Sequence, residues 1–165
     1  MRTLREYVEA GQLDVIQEKM SILDRTPQKE LLPFCEAHNI SLQTYSPIEQ
    51  GLLSGKIAND YKVRTGEARE GKRWWTADGI RVANEMLAGW KDLTEKYNCT
   101  TTNLCICWNA MCSTQINVLC GARKRSQIED TARSLQINLS REDFDRMLTD
   151  ADAVIARLNR NSVMF

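Results

Sequence analysis

Hydrophobic positions follow two patterns along the chain, and each pattern predicts a different kind of element. Short apolar runs predict buried strands at residues 13–17, 40–45 and 116–120. Elsewhere, apolar residues recur every three or four positions, which is typical of helices that pack on one face. Strands that alternate with helices over short joints favour an α/β fold with a parallel sheet. No fourth strand stands out, so the predicted sheet has two unpaired edges.

The predicted helices have recognisable ends and apolar faces. Thr26 and Pro27 combine a hydroxyl cap with a first-turn proline, which predicts a helix that runs to about His38 and closes at Asn39. Ser140, with an acidic residue three positions later, resembles a capping box that opens the last helix. The other expected packing positions are Leu4, Tyr7 and Val8; Ala83, Met86, Leu87, Trp90 and Tyr97; Leu104, Cys107, Trp108 and Met111; Ile128, Ala132 and Leu135; and Phe144, Met147, Leu148, Ala151, Ile155 and Leu158.

Length and charge fit one domain without an obvious polyanionic or membrane partner. The 165 residues carry 22 basic and 22 acidic side chains, so net charge gives no indication of nucleic-acid or membrane binding. The sequence has no apolar run of about 18 residues, and its first residues lack the apolar core of a signal peptide. We therefore expect a cytoplasmic protein.

Six cysteines are present, at positions 35, 99, 105, 107, 112 and 120. None forms a C-x-x-C pair, and no histidine lies near the last five. Metal ligation and disulfide bonding remain alternatives, but this spacing favours reduced thiols that pack in the core.

Polar groups follow the three predicted strands at their carboxyl ends, which is the edge where parallel β/α folds bind ligands. They are Gln17, then Tyr45 with Ser46, and then Gly121 with the basic run at residues 123–125. After Tyr45 come Pro47, Gly51 and Lys56, of which proline directs the chain, glycine lets backbone N–H groups approach a ligand, and lysine meets an anion. Taken alone, this stretch is also compatible with an ordinary strand exit.

The basic run at residues 123–125 precedes a predicted helix, whose N-terminus favours anions. A solvated basic turn is the alternative, but the run shares its edge with Lys56, which favours a phosphate-bearing ligand. Tyr45 beside the Gln17 amide suits a flat heteroaromatic ring that carries a carboxamide. Together these groups suggest a nicotinamide dinucleotide with an extra phosphate. The polar stretch at residues 57–76 is long for a connection, and such loops are often functional lids, though some are disordered.

Three segments resemble motifs of the aldo-keto reductases. Residues 45–56, YSPIEQGLLSGK, resemble the family segment Y-S-P-L-x-x-G-x-L-x-G-K. Residues 118–130, VLCGARKRSQIED, resemble the final strand and cofactor helix, I-P-G-A-R-x-x-x-Q-x-x-x-N. Residues 15–17, VIQ, followed by LDR at residues 23–25, are similar to the sixth strand and its exit. The three motifs occur in the family's order and cover nearly the whole chain.

The resemblance implies an eight-stranded β/α barrel that binds NADPH and reduces aldehydes or ketones, of which residues 1–165 would be the C-terminal half, strands six to eight. It implies that Tyr45 stacks on the nicotinamide, that Gln17 bonds its carboxamide, and that residues 57–76 fold over the cofactor. Asp130 would lie near the adenine, where Thr131 replaces the usual asparagine. The implied pyrophosphate residues are Ser46, Pro47, Ile48, Gln50, Gly51 and Lys56, and the implied 2′-phosphate residues are Gly121, Arg123 and Gln127, with Lys124 as a helper.

The family's catalytic aspartate, tyrosine, lysine and histidine come from the first half of the barrel, which this sequence does not contain. His38 is the single histidine and is expected at the opposite edge, and Tyr7 is expected to pack. We therefore assign no catalytic residue and expect the isolated chain to be inactive, with a carbonyl substrate bound only in a completed barrel. The alternatives are a non-catalytic protein that senses NADP or assembles through its sheet edges, with itself or with a complementing N-terminal half, and a truncated or split gene product.

Overall fold

The computed structural model describes residues 2–162, with side chains to residue 160, and combines a small parallel sheet with flanking helices. The strands are β1 (Val15–Lys19), β2 (Ser41–Tyr45) and β3 (Ile116–Val118). The helices are α1 (Arg2–Ala10), α2 (Leu31–His38), α3 (Ala77–Ala88), α4 (Lys91–Lys96), α5 (Thr101–Met111), α6 (Arg125–Ala132) and α7 (Arg141–Ser162). Short 3₁₀ segments cover Thr26–Gln28, Glu49–Ser54 and Arg133–Gln136. No helix in the described range is both long and apolar enough to cross a bilayer.

The three strands pair in parallel in the order β1-β2-β3, which confirms the predicted three-stranded parallel sheet. The register aligns Gln17 with Gln43, and Gln43 with Asn117. Within residues 2–162, the outer edges of β1 and β3 have no strand partner. The fold is therefore three consecutive strand–helix units of a partial β/α barrel.

One face of the sheet is packed and the other is open. Ile16, Leu42 and Ile116 belong to an apolar cluster that α2 completes. Side chains alternate between faces along a strand, so Gln17 and Tyr45 lie on the opposite face, where both are exposed. Parallel sheets normally have both faces covered. The open face is the side that would line the interior of a complete barrel.

A larger core joins the exit of β1 to α3, α4, α5 and α7. Trp90 and Trp108 are fully buried there, which confirms that they are packing residues. The Trp108 ring stacks on Phe144 with centroids 5.3 Å apart, and Trp90 Nε1 donates to Asp150 Oδ2 at 2.9 Å. These contacts fix the helices that support the carboxyl ends of the strands.

Several predicted boundaries differ from the structure. Strand β1 begins and ends two residues later than predicted, because its ladder with β2 runs from Val15 to Lys19. The helix predicted from Thr26 is interrupted before α2, since the Thr26 hydroxyl donates to Asp24 instead of capping a helix. The helix expected across residues 83–97 is two helices, α3 and α4, separated at Gly89.

Five residues predicted to pack are instead exposed: Tyr7, Met111, Ile128, Ala132 and Leu135. The exposed fractions are 62% for Tyr7, 43% for Met111, 61% for Ile128 and 91% for Leu135. Tyr7 lies in α1, which precedes β1, and Ile128 lies in α6, which follows β3. No described element packs beyond the outer edges of β1 and β3, so Tyr7 and Ile128, in the helices next to these strands along the chain, remain exposed.

Other local predictions agree with the structure. Asn39 closes α2 in the left-handed conformation, and Ser140 Oγ accepts from the Asp143 backbone N–H at 3.2 Å. Among the cysteines, Cys35, Cys105 and Cys107 are buried as predicted, whereas Cys120 is exposed because it follows the short edge strand β3.

Candidate functional site

The candidate site lies along the carboxyl ends of the strands. The register places Lys19 beside Tyr45, and Thr44 beside Val118. The Leu119 N–H then donates to the Thr44 carbonyl at 2.8 Å. Two segments therefore leave the sheet at the same edge: the β2 exit turn (residues 46–56) and the β3 exit turn (residues 119–127). The structure brings together the two predicted phosphate-binding segments.

The β2 exit turn has an unusual backbone. Ser46, Glu49 and Gln50 have φ angles of 57°, 46° and 55°, and Gly51 has a φ of 100°. Each left-handed non-glycine residue costs about 1–2 kcal/mol, so this geometry persists only where the surroundings enforce it. The N–H groups of Glu49 and Gly51 donate to the Ser46 and Ile48 carbonyls inside the turn. An anion bound here would therefore use the other N–H groups of the turn.

A cluster of Lys19, Ser21 and Glu49, here called the clamp, holds this turn; Ser21 and Glu49 are buried and Lys19 is half-buried. Glu49 is 3% exposed. Its Oε1 accepts from Ser21 Oγ at 2.5 Å, and its Oε2 lies 2.9 Å from Lys19 Nζ. The clamp therefore ties the β2 exit turn to the end of β1.

Asp24 extends the clamp on the β1 side, because its Oδ2 lies 3.2 Å from Lys19 Nζ. Burial alone lowers the pKa of Lys19, but the hydrogen bonds and charges of Glu49 and Asp24 outweigh burial and raise that pKa above its ordinary value. Burial also acts to raise the pKa of Asp24, and the hydrogen bonds from Thr26 and Lys19 bring it below its ordinary value. Lys19 therefore stays charged and Asp24 ionised at neutral pH.

A second set of buried polar contacts, made by Asn109, supports the ends of β1 and β2. Thr44 Oγ1 donates to Asn109 Oδ1 at 3.0 Å, and Asn109 Nδ2 donates to the Met20 carbonyl at 2.8 Å. Thr44 and Asn109 are fully buried. These contacts connect α5 to both β2 and the exit of β1, so the edge that carries the site is rigidly supported.

The connecting loop (residues 57–76) packs against the β2 exit turn. Arg69 Nη2 donates to the Gln50 carbonyl at 2.7 Å, and Arg69 Nη1 donates to the Tyr61 hydroxyl at 3.0 Å. The guanidinium also lies 4.2 Å from the Trp75 ring centroid, a cation–π contact. Trp74 and Trp75 are buried. The loop is irregular, as predicted, and side-chain contacts hold it beside the turn.

The β3 exit turn is built differently, because its side chains are exposed. Gln127 Oε1 accepts from the N–H groups of Arg123 at 2.7 Å and Lys124 at 3.2 Å. Gln127 thus satisfies the amides that open α6, the donors that an anion would use. Arg123 and Lys124 form no ion pair with any described residue, whereas Arg125 pairs with Glu129 at 2.6 Å.

Gln17 lies lower on the open face than the sequence predicts. Because β1 ends at Lys19, Gln17 is two residues, or about 7 Å, before the strand end. Its Nε2 donates to Gln43 Oε1 at 2.8 Å. Tyr45, at the edge itself, is 43% exposed and presents its ring to the open side. The predicted amide and aromatic ring therefore lie on one face, on neighbouring strands and offset by two residues along them.

The remaining predicted residues differ in burial. Pro47 is buried, Ile48 packs against the main core, and Lys56 and Gly121 are exposed. Asp130 faces α5, where its carbonyl accepts from Asn103 Nδ2 at 2.7 Å, so its role near an adenine stays a prediction. His38 ends α2 and feeds β2, with Nδ1 2.8 Å from the Phe34 carbonyl, which confirms its place at the opposite edge.

Sequence reasoning missed Lys19, Ser21, Glu49 and Asn109. Glu49 lies inside the recognised motif but at a position without an assigned role, and no spacing in the sequence connects it to Lys19. The pairing arises only when β1 and β2 align. Arg69 belongs to a polar stretch without periodicity, so no local signal indicated it as the anchor of the connecting loop.

The sequence profile described as the Aldo/keto reductase family matches residues 5–149. A protein of Escherichia coli (strain K12) named NADH-specific methylglyoxal reductase is 41% identical over 151 residues, which are 92% of this chain and 46% of that protein. An oxidoreductase of Bacillus subtilis (strain 168) is 31% identical over 134 residues, which are 81% of this chain and 39% of that relative.

Solved structures agree at the level of the fold. The glycerol dehydrogenase of Gluconobacter oxydans superposes with a TM-score of 0.82 at 22% identity, over 94% of this chain and 46% of that one. At this identity the likeness establishes the fold alone. The chain spans about half the length of the relatives it matches.

Proposed function

Because the chain belongs to the aldo/keto reductase family, we propose that it is the half of a carbonyl reductase that binds the nicotinamide dinucleotide. The observation that carries this proposal is the meeting of the β2 and β3 exit turns, the two predicted phosphate-binding segments, at one strand edge, with the exposed Tyr45 ring beside them. A nicotinamide dinucleotide has its nicotinamide ring at one end and phosphates along its length. It therefore matches the order of the Tyr45 ring and the two exit turns along this edge.

The residues at the edge fit such a cofactor. The Tyr45 ring is free to stack on a nicotinamide, and the Gln17 amide, on the same face, would bond the carboxamide. The N–H groups of the β2 exit turn and the side chain of Lys56 would hold the pyrophosphate. When bound, the cofactor supplies the hydride that reduces a carbonyl carbon. The chain's own residues bind and orient it.

We propose a preference for NADP(H) over NAD(H). Arg123 and Lys124 are exposed and engage no described acid, so two cations remain free for a 2′-phosphate. Gly121 leaves the approach to them open, since no atom lies within 4 Å of a Cβ built there. The name of the Escherichia coli relative favours NADH as the second candidate. Comparison of the two reduced cofactors decides between them.

Catalysis would require residues that this chain does not contain. Among the described residues at this edge, Lys19 already pairs with two acids, Asp24 and Glu49, so it is not available as a catalytic lysine. We therefore propose that the 165-residue chain alone does not reduce carbonyls, and that a complementing N-terminal half supplies the proton donor and the other wall of the substrate pocket.

A second candidate function is that of a non-catalytic interaction protein that assembles through its open edges. A groove of about 840 Å³ follows the free side of β1, and its lining includes Leu4, Ile16 and Tyr45. Val15, at the start of that edge, is 45% exposed. Exposed strand edges with apolar neighbours promote pairing with another chain. Either a second copy or an N-terminal half would cover this edge.

The experiment that tests the main proposal is titration of the purified chain with NADPH and, separately, NADH, followed by nicotinamide fluorescence. We expect saturable binding, tighter for NADPH, without oxidation on addition of an aldehyde. A folded chain that binds neither cofactor would refute the proposal. Sedimentation of the same samples addresses assembly, since a strict monomer would argue against the second candidate.

A further inference from the structure

The clamp is the one buried charged cluster at the candidate site, among the described residues, that the proposed binding roles do not use. Glu49 is buried in a turn where a neutral side chain would pack at lower cost, because burying a carboxylate requires that it be fully paired. Both of its oxygens are paired, one with Ser21 and one with Lys19. These two contacts connect the turn to the end of β1, which an apolar side chain of the same size would not do.

The clamp acts on the part of the turn that is strained. Glu49 itself has a φ of 46°, and Gln50 and Gly51 continue the left-handed path. The side chain of Glu49 reaches back to β1, so the strained residues are tied to a different strand from the one they follow. Ser21, two residues after the end of that strand, is itself held, because its N–H donates to the Asp24 carbonyl at 3.0 Å and its carbonyl accepts from the Asp24 N–H at 3.1 Å. The position of the turn is therefore fixed relative to the end of β1.

The charges of the clamp also matter for an anionic ligand. An unpaired carboxylate in the β2 exit turn would repel a pyrophosphate, since like charges at short range in a partly buried site interact strongly. Lys19 Nζ lies 2.9 Å from Glu49 and 3.2 Å from Asp24, so it offsets the charge of Glu49, while Asp24 shares the ammonium from the β1 side. Glu49 thus fixes the turn, and Lys19 keeps the fixed turn compatible with an anion.

We propose that Lys19 and Glu49 are positioning residues of the cofactor site: the ion pair holds the β2 exit turn in its left-handed geometry while masking the carboxylate from the cofactor's pyrophosphate. This inference rests on the proposed function for the identity of the ligand. It assigns roles to two residues that do not contact the ligand and act through the turn.

The inference predicts that Lys19→Met weakens NADP⁺ binding more than Glu49→Gln does. Lys19→Met leaves the buried carboxyl group of Glu49 without its ion-pair partner beside the β2 exit turn, and we expect NADP⁺ affinity to fall about tenfold. Glu49→Gln keeps the bond to Ser21 and removes the negative charge, so affinity falls only about threefold. In the double variant the repulsion is gone, and affinity returns to the level of Glu49→Gln. A role confined to stability would instead make the double variant the weakest binder.

Two controls separate the clamp from general damage. Lys19→Arg keeps the charge and is expected to bind NADP⁺ nearly as the wild type does. Adenosine 2′,5′-bisphosphate lacks the pyrophosphate and would engage the β3 exit turn alone, so its affinity is expected to be unchanged in every clamp variant. Equal NADP⁺ affinity in Lys19→Met and the wild type would overturn the inference.

A measurement that needs no ligand distinguishes failure of the clamp from failure of the proposed function. Amide hydrogen exchange of residues 46–56 is expected to be at least tenfold faster in Glu49→Gln, with the amides of α5 unchanged. Unchanged amide exchange at residues 46–56 in Glu49→Gln would overturn the proposed role of the clamp. If the wild type binds no dinucleotide but the turn loosens, the clamp's effect on the turn stands, and its cofactor role falls with the proposed function.

Discussion

The two turns of the candidate site differ in how the chain holds them. The β2 exit turn is strained, partly buried and tied to β1 by the clamp, while the connecting loop packs on it through Arg69. The β3 exit turn is exposed and is held by a single local cap, Gln127. One turn is preorganised by tertiary contacts. The other supplies unpaired charge and a cap that a ligand can replace.

This difference indicates a division of labour in binding. A preorganised turn binds the invariant part of a dinucleotide, its pyrophosphate, with little loss of conformational entropy. Under the proposed function, the exposed, weakly held turn would carry the part that varies between cofactors, the 2′-phosphate. Substitutions in the first region should therefore affect folding and binding together, whereas substitutions in the second should affect cofactor choice with little change in stability.

The largest expected effect follows removal of the buried support under the first region. Asn109→Ala leaves the Thr44 hydroxyl and the Met20 carbonyl without their partner, and we expect a loss of about 3 kcal/mol in the free energy of unfolding. Urea denaturation measures this loss. Gln12→Ala, at an exposed site before β1, is the matched control and should change little. A loss below about 1 kcal/mol would mean that the support is not rigid.

The next effect should be confined to the second region. In Arg123→Ala/Lys124→Ala, NADPH affinity is expected to fall about tenfold or more, with NADH affinity and urea stability nearly unchanged, because both cations are exposed and unpaired among the described residues. Arg125→Ala is the matched control, since that cation already pairs with Glu129. An equal loss for both cofactors would remove the assignment of these residues to the 2′-phosphate.

A smaller effect is expected from the cap of the second region. Gln127→Ala frees the N–H groups of Arg123 and Lys124, and we expect a loss of about 1 kcal/mol in unfolding free energy. If a ligand oxygen takes over these donors, saturating NADPH should raise the melting temperature more in the variant than in the wild type. Differential scanning fluorimetry with and without NADPH measures both. An equal rise would indicate that the ligand does not use these amides.

The smallest effect concerns pH and the β1 side of the first region. The pKa of Asp24 is lower in the folded chain than its ordinary value of 3.8, so its bonds to Thr26 and Lys19 contribute stability that is complete above about pH 4. This contribution is lost as pH falls through the lower folded-state pKa. The stability difference between the wild type and Asp24→Asn should therefore be constant from pH 7 to 5 and shrink toward pH 3. A difference that grows on acidification would contradict the ion pair.

The sequence predicted the elements that depend on local pattern. Apolar runs located the three strands, and Asn39 and Ser140 ended or began helices where expected. The parts that depend on strand alignment were not predictable. Gln17 was placed at the strand end because nothing local shows that the ladder continues to Lys19, and Glu49 gains its partners only through that ladder.

The exposed apolar positions were mispredicted for a related reason. Ile128 and Leu135 follow helical spacing, which indicates a packing face, but periodicity does not show which element will cover it. Among the described residues, no element covers Ile128 or Leu135. The same spacing at Leu104 and Trp108 predicted burial correctly, because α7 supplies the partner through Phe144.

The central claim is that the two turns form one dinucleotide site. Amide hydrogen exchange of the wild-type chain, with and without saturating NADP⁺, tests it most directly. The account predicts that exchange slows in both residues 46–56 and residues 119–127, while the amides of α7 remain as they were. Protection of neither turn, or of only one, would contradict the claim.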